Sequence, residues 1–190
     1  MKKTISLLIA IIICLSFLGC VSNKTNATVE TPVYTPVPRF GQVKGLITWK
    51  YNDFVGIRGD NNAKVMLIPK NNNTKAYDNS RAVMLYPGEY ESGILVAKCD
   101  GYGNFDFGDR VPVGQYQCLI ISWNTTDQFR FNYEESWNKT ITSTFGPYFS
   151  DEDLETLMLF IGYKKFYVRN INVETGRVTN ITEDFGITYI

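Results

Sequence analysis

The chain reads as a mainly β protein, an antiparallel sandwich carrying one added helix. Short segments rich in β-branched and aromatic residues recur beyond Gly41, separated by clusters of Gly, Asn, Asp and Pro. Within them the side chains alternate with period two: Phe105 and Phe107 share one face while Asn104 and Asp106 share the other, and Tyr116, Cys118 and Ile120 fall together. One stretch alone, 151–162, carries the helical spacing of an apolar stripe.

The strands expected are Val43 to Tyr51, Lys64 to Ile68, Gly93 to Cys99, Asn104 to Phe107 and Gln115 to Trp123. Asp100-Gly101-Tyr102-Gly103 stands between the third and fourth, and Asp-Gly between β segments predicts a hairpin, hence an antiparallel pair there. Ser150 followed three positions later by Asp153, then Leu154, Leu157, Met158 and Ile161, predicts a capped helix with one apolar stripe, laid over an open part of the sheet. Two further strands follow, Lys165 to Val173 and Arg177 to the end, joined through Glu174-Thr175-Gly176. The terminal run near Ile187 to Ile190 is apolar and is expected to pair within the sheet.

Ahead of this domain lies a targeting segment. Lys2 and Lys3 precede an apolar run from Ile5 to Leu18, too short to cross about 30 Å of hydrocarbon comfortably as a helix. It ends in Phe17-Leu18-Gly19-Cys20, which resembles the lipobox of prokaryotic lipoproteins, with Phe17 where that motif usually has leucine. The resemblance implies a signal peptide over 1–19 and a diacylglycerol on the Cys20 thiol. Two acyl chains hold a protein to a bilayer stably where one holds it marginally. Residues 20–40, dotted by Pro32, Pro36 and Pro38, read as an extended tether that could reach about 60 Å. Residues 41–190 then form one β-sandwich domain, displayed outside the cytoplasm.

Composition narrows the chemistry. Loss of Lys2 and Lys3 with the signal peptide leaves a slightly acidic chain, which gives no electrostatic case for nucleic acid. The chain has no histidine, so Ser-His-Asp and Cys-His nucleophile systems and His-based zinc sites are excluded. No cofactor and no metal site is expected. Alternation directs both Cys99 and Cys118 toward a core. Two free buried thiols are one reading, and a disulfide, permitted outside the cytoplasm, is the other. Nothing in the spacing of the carboxylates selects the facing pair that glycoside hydrolysis needs. Asp151, Glu152 and Asp153 belong at a helix N-terminus. Asp100, Asn104 and Asp106 are explained by a hairpin rather than by a cation loop.

Tripeptides need the same weighing. Arg58-Gly59-Asp60 is read by some adhesion receptors, but Gly59-Asp60-Asn61-Asn62 is also what a tight loop wants. Asp184-Phe185-Gly186 lacks the phosphate loop and catalytic loop that would make it a kinase motif. Aromatic residues make up 14% of the chain, and Trp49, Tyr51 and Phe54, near a predicted loop, are the candidate ligand-binding residues.

From Gly41 to Trp123 the order of signals resembles the carboxypeptidase regulatory-like domains. The residues that carry this are Gly41-Gln42-Val43-Lys44-Gly45, Ala63-Lys64-Val65-Met66-Leu67, the glycine-containing stretch Asp100 to Phe107, and Val111-Pro112-Val113-Gly114-Gln115-Tyr116. The resemblance implies a transthyretin-like (prealbumin-like) sandwich, and a role as an accessory, structural or binding module. The long stretch from Asn71 to Glu91 and the helix after Ser150 depart from the basic pattern. The expected function is a lipid-anchored, non-catalytic surface module that meets an envelope polysaccharide or protein; the alternative is a carboxylate-based envelope glycosidase.

Overall fold

A computed structural model describes residues 39–126, 135–162 and 164–187. The chain is mainly β, built as two sheets with a layer of helices outside the second.

The first sheet is organised around β1, Phe40–Asn52. One edge of β1 pairs with β10, Val178–Ile187, along most of its length. Its other edge is shared in turn by three short strands: β7 (Val111–Pro112) opposite Phe40 and Gly41, β6 (Asn104–Asp106) opposite Lys44 to Leu46, and β2 (Gly56–Gly59) from Thr48 to Asn52. The second sheet has the order β4-β5-β3-β8-β9. Its members are β4 (Gly88–Glu89), β5 (Leu95–Lys98), β3 (Lys64–Pro69), β8 (Gly114–Thr126) and β9 (Lys164–Val173).

Period-two alternation in β3 and β8 makes two cores, one on each face of the second sheet. Val65, Leu67, Cys118 and Ile120 point between the sheets and meet Val43, Ile47, Phe105, Ile181 and Phe185. Met66, Ile68, Leu119 and Ile121 point the other way, against the helices. Strands buried on both faces read as continuous apolar runs, as Val65-Met66-Leu67-Ile68 and Leu119-Ile120-Ile121 do.

The helical layer contains α1 (Ser80–Val83), α2 (Glu135–Phe145) and α3 (Asp151–Ile161). The expected cap forms at α3 as the N-cap half of the box: the Asp153 amide donates to Ser150 Oγ at 3.2 Å, the Asp153 carboxylate accepts from the Ser150 hydroxyl rather than from its amide, and Leu154, Leu157 and Ile161 are buried. Sequence reading did not find α2, which adds Ile141 and Phe145 to the outer core. The Asn71 to Glu91 insertion serves the same layer, burying Ala82, Val83 and Leu85 there.

One expectation about pairing is corrected. The Asp100-Gly101 turn is tight, with the Asp100 amide donating to the Asn104 carbonyl at 2.8 Å, yet β5 and β6 do not pair. The turn carries the chain from one sheet to the other, and β6 pairs with β1. Gly45 makes this work: a side chain there would strike the Ile181 carbonyl and the Phe105 ring, so its absence lets Phe105 close over β1. Within this predominantly antiparallel fold β10 runs parallel to β1. The turn after β9 passes to the other sheet, held by Gln42 N–H to the Arg177 carbonyl and Gly176 N–H to the Phe40 carbonyl, both at 2.9 Å. The other pairings are antiparallel. β10 ends at Ile187, paired with Lys50; residues 188–190 lie outside the described residues.

Candidate functional site

The end of β1 and the start of β2 form a hairpin that runs past the core. Asn52 shapes its tip, its Oδ1 accepting from the Phe54 amide at 3.0 Å and the Val55 amide at 2.7 Å. Gly56, at φ +76°, takes the left-handed turn that a β-carbon would strain. Lys50 and Asp53 pair across the tip at 2.6 Å, which holds the Asp53 carboxyl below its ordinary value through a hydrogen bond and the lysine charge. With the backbone committed to this turn, Phe54 stands wholly in solvent, and Val55 and Ile57 are exposed beside it.

The three aromatic candidates separate in the fold. Trp49 and Tyr51 meet edge to face, with ring centroids 5.5 Å apart, because alternate residues of a strand share a face. Trp49 is half-buried against the inter-sheet core, whereas Tyr51 is exposed. Phe54 is a lone ring at the tip. Sequence reading missed Arg58 as part of this surface. It lies opposite Trp49 in the ladder and sets its guanidinium 5.9 Å from the Tyr51 ring centre, within cation–π range. In the sequence Arg58 stands only at the head of Arg58-Gly59-Asp60, read as a loop, and nothing there links it to an aromatic ring.

Arg58-Gly59-Asp60 is a loop element, as its sequence favours. Asp60 is fully buried, and its carboxylate accepts from the Ser122 hydroxyl, from the Trp123 and Asn124 amides at 3.1 Å each, and from Asn124 Nδ2 at 2.8 Å. A receptor cannot reach that carboxylate. Burial pushes its pKa up, and these hydrogen bonds pull against the shift. The loop is further fixed by close backbone approach. Gly103, at φ +85°, lies where a side chain would collide with the Ile47 carbonyl and the Gly59 backbone. Beside this knot, Lys164 Nζ donates to the Trp123 carbonyl at 2.6 Å and sits 5.0 Å from its ring centre.

The remaining sequence candidates are structural where the described residues include them. Cys99 and Cys118 are buried free thiols. β3 separates their strands by about 10 Å, and they sit opposite Ala63 and Leu67 respectively, about 13 Å apart along the sheet, far beyond disulfide reach. Asp100 accepts from the Tyr102 amide at 2.8 Å and the Asn104 amide at 2.9 Å, contacts that hold its pKa down. No group of three metal-binding side chains occurs among the described residues. In Asp184-Phe185-Gly186, Phe185 is buried and stacks on Tyr167 at 5.0 Å. Tyr116 points inward, as its turn predicts, and donates to the Pro112 carbonyl at 2.8 Å. Cys20 lies outside the described residues. Among the described residues, no helix is long and apolar enough to cross a membrane.

Compared with known proteins, the chain matches no family model and no curated relative. Among solved structures it is similar to a protein of Pseudomonas aeruginosa described as a "putative carbohydrate binding protein". The identity is 17% and the TM-score 0.38, over 80% of this chain and 92% of that one.

Proposed function

We propose that this chain is a lipid-anchored, non-catalytic binding module displayed outside the cytoplasm, and that it meets a protein of the cell envelope through the β1–β2 hairpin. The observation that carries the reading is the full exposure of Phe54 on a turn that Asn52 and Gly56 rigidify. A fixed aromatic ring with apolar neighbours and an adjacent arginine and tyrosine has the composition of an interface hot spot. Its ordering cost is already met by the turn, so little is lost when a partner closes on it. Anchoring rests on Phe17-Leu18-Gly19-Cys20, and the proline-dotted tether supplies reach.

The glycosidase alternative draws no support from the carboxylates. A general acid needs a raised pKa. Asp100, at the rim of an open groove, is held down by backbone amides, and Asp60, whose carboxyl is raised, is sealed in the loop knot.

The test uses the full chain in cells. A photo-reactive residue in place of Phe54 should give a discrete protein adduct in the membrane fraction, and one in place of Lys75 should not. Cys20→Ala should move the protein out of that fraction or leave its precursor uncut. Identical adducts at both positions would sink the hairpin reading, and a wild-type protein without lipid would sink the anchor.

A further inference from the structure

The outer face of the first sheet carries a second surface, independent of the hairpin. Strand register sets two rows of side chains across three strands: Asp106, Lys44 and Asn180 in one, and Asn104, Leu46 and Thr182 in the next. Together with Lys98 and Asp100 at one side they line an open groove of about 640 Å³, within the size range of small-ligand sites. Its floor is Gly45 and the half-buried Leu46, and its rim is polar.

The hydrogen bonding in this groove is unevenly satisfied. Both carboxylates are engaged by the protein itself. Asp106 accepts from Gln42 Nε2 at 2.9 Å and the Gly108 amide at 2.7 Å, and Asp100 accepts from two backbone amides. The side chains of Lys44 and Lys98, by contrast, make no hydrogen bond or ion pair among the described residues, and neither do those of Asn180 and Thr182. The groove therefore offers two uncommitted cations, a carboxamide and a hydroxyl around an apolar floor, while its own acids are occupied.

We infer that this groove binds an acidic sugar, a uronate unit of a polysaccharide. The carboxylate of such a ligand answers the Lys44 ammonium, its hydroxyls can both donate to and accept from Asn180 and Thr182, and its C–H face lies on Leu46. Two lysines balanced by two aspartates leave the groove close to neutral. It is therefore built for one directed charge contact rather than for a diffuse polyanion, and binding weakens only modestly with salt.

The full-length protein in detergent micelles is titrated calorimetrically with trigalacturonate, with maltotriose and with polyglutamate. Trigalacturonate should bind, and the neutral trisaccharide should bind at least about tenfold more weakly, the loss expected for one charged hydrogen bond. Lys44→Ala should weaken trigalacturonate by about 10- to 100-fold, Lys44→Arg should retain most of the affinity, and Lys75→Ala, which removes a lysine elsewhere, should change nothing. Thermal melting of each variant verifies that the fold is intact. Equal binding of maltotriose, equal competition by polyglutamate, an unaffected Lys44→Ala, or no binding of trigalacturonate would each overturn the inference. None of these results bears on adduct formation at position 54, so the groove and the hairpin stand or fall separately.

Discussion

The Asp60 carboxylate and the Ser122 hydroxyl, 62 positions apart in the chain, meet in a buried hydrogen bond. It ties the loop between β2 and β3 to the far end of β8, and the Ser122 oxygen in turn accepts from the Thr125 amide at 2.9 Å. The aromatic hairpin projects from a base that this bond closes.

That carboxyl should make stability depend on pH. Because burial raises its pKa in the folded chain, the folded state holds the proton more tightly than the unfolded state. The associated stability is complete below the ordinary aspartate pKa, about 3.9, and is lost as pH rises through the raised folded value. Asp60→Asn removes this titration. The stability of the wild type relative to Asp60→Asn should therefore fall as pH rises from the ordinary aspartate pKa through the raised folded value, measured by urea unfolding; a pH-independent difference would contradict it.

Gly45→Ala should destabilise the fold by about 2 to 4 kcal/mol, since the added carbon meets the backbone carbonyl of Ile181 as well as the Phe105 ring, and backbone cannot rotate away. Thermal melting would show it. Gly101→Ala, where a side chain would find open space, is the control and should melt within a degree or two of wild type.

Trp49 and Phe54 should respond oppositely. Trp49→Ala should cost about 2 to 3 kcal/mol in unfolding free energy, because the indole packs on the inter-sheet core. Phe54→Ser should leave stability within about 0.5 kcal/mol and act only on partner binding. Matched unfolding curves for the two variants separate a packing role from a contact role.

The Cys99 and Cys118 thiols should resist alkylation in the native protein. Burial pushes each up to about 12, and only the thiolate is nucleophilic. Peptide mapping after iodoacetamide at mild alkaline pH should find both unmodified when folded and both modified in denaturant. Native labelling of either would show that the core opens there.

What the sequence made legible follows from locality. The N-cap at Ser150, the inward turn at Tyr116 and the alternation around Phe105 are each written within a few residues, and each is present. Pairing between distant segments is not so written. An Asp-Gly turn looks the same whether its strands pair with each other or separate into two sheets, and what decided it here was the missing side chain of Gly45, 55 positions before Asp100. The helix Glu135–Phe145 was hidden by its Thr- and Ser-rich sequence, whose helical propensity is weak and whose apolar stripe rests on Ile141 and Phe145. At the hairpin the aromatic trio was visible as composition. Its division into a packed Trp49 and a free Phe54 depends on where β1 outruns the core, which no local pattern records.

The length of β1 has a mechanical consequence. From Phe40 to Asn52 the strand covers about 40 Å, joining the end of the domain where the chain enters to the base of the hairpin. A tensile load applied between those two points passes along one continuous backbone, through covalent bonds. The ladders with β10 on one side and β7, β6 and β2 on the other lie alongside that path, so any share of the load that reaches them acts in shear on many bonds at once rather than peeling them singly. Drag on a molecule gripped at Phe54 would be transmitted to the entry end without having to prise the two sheets apart.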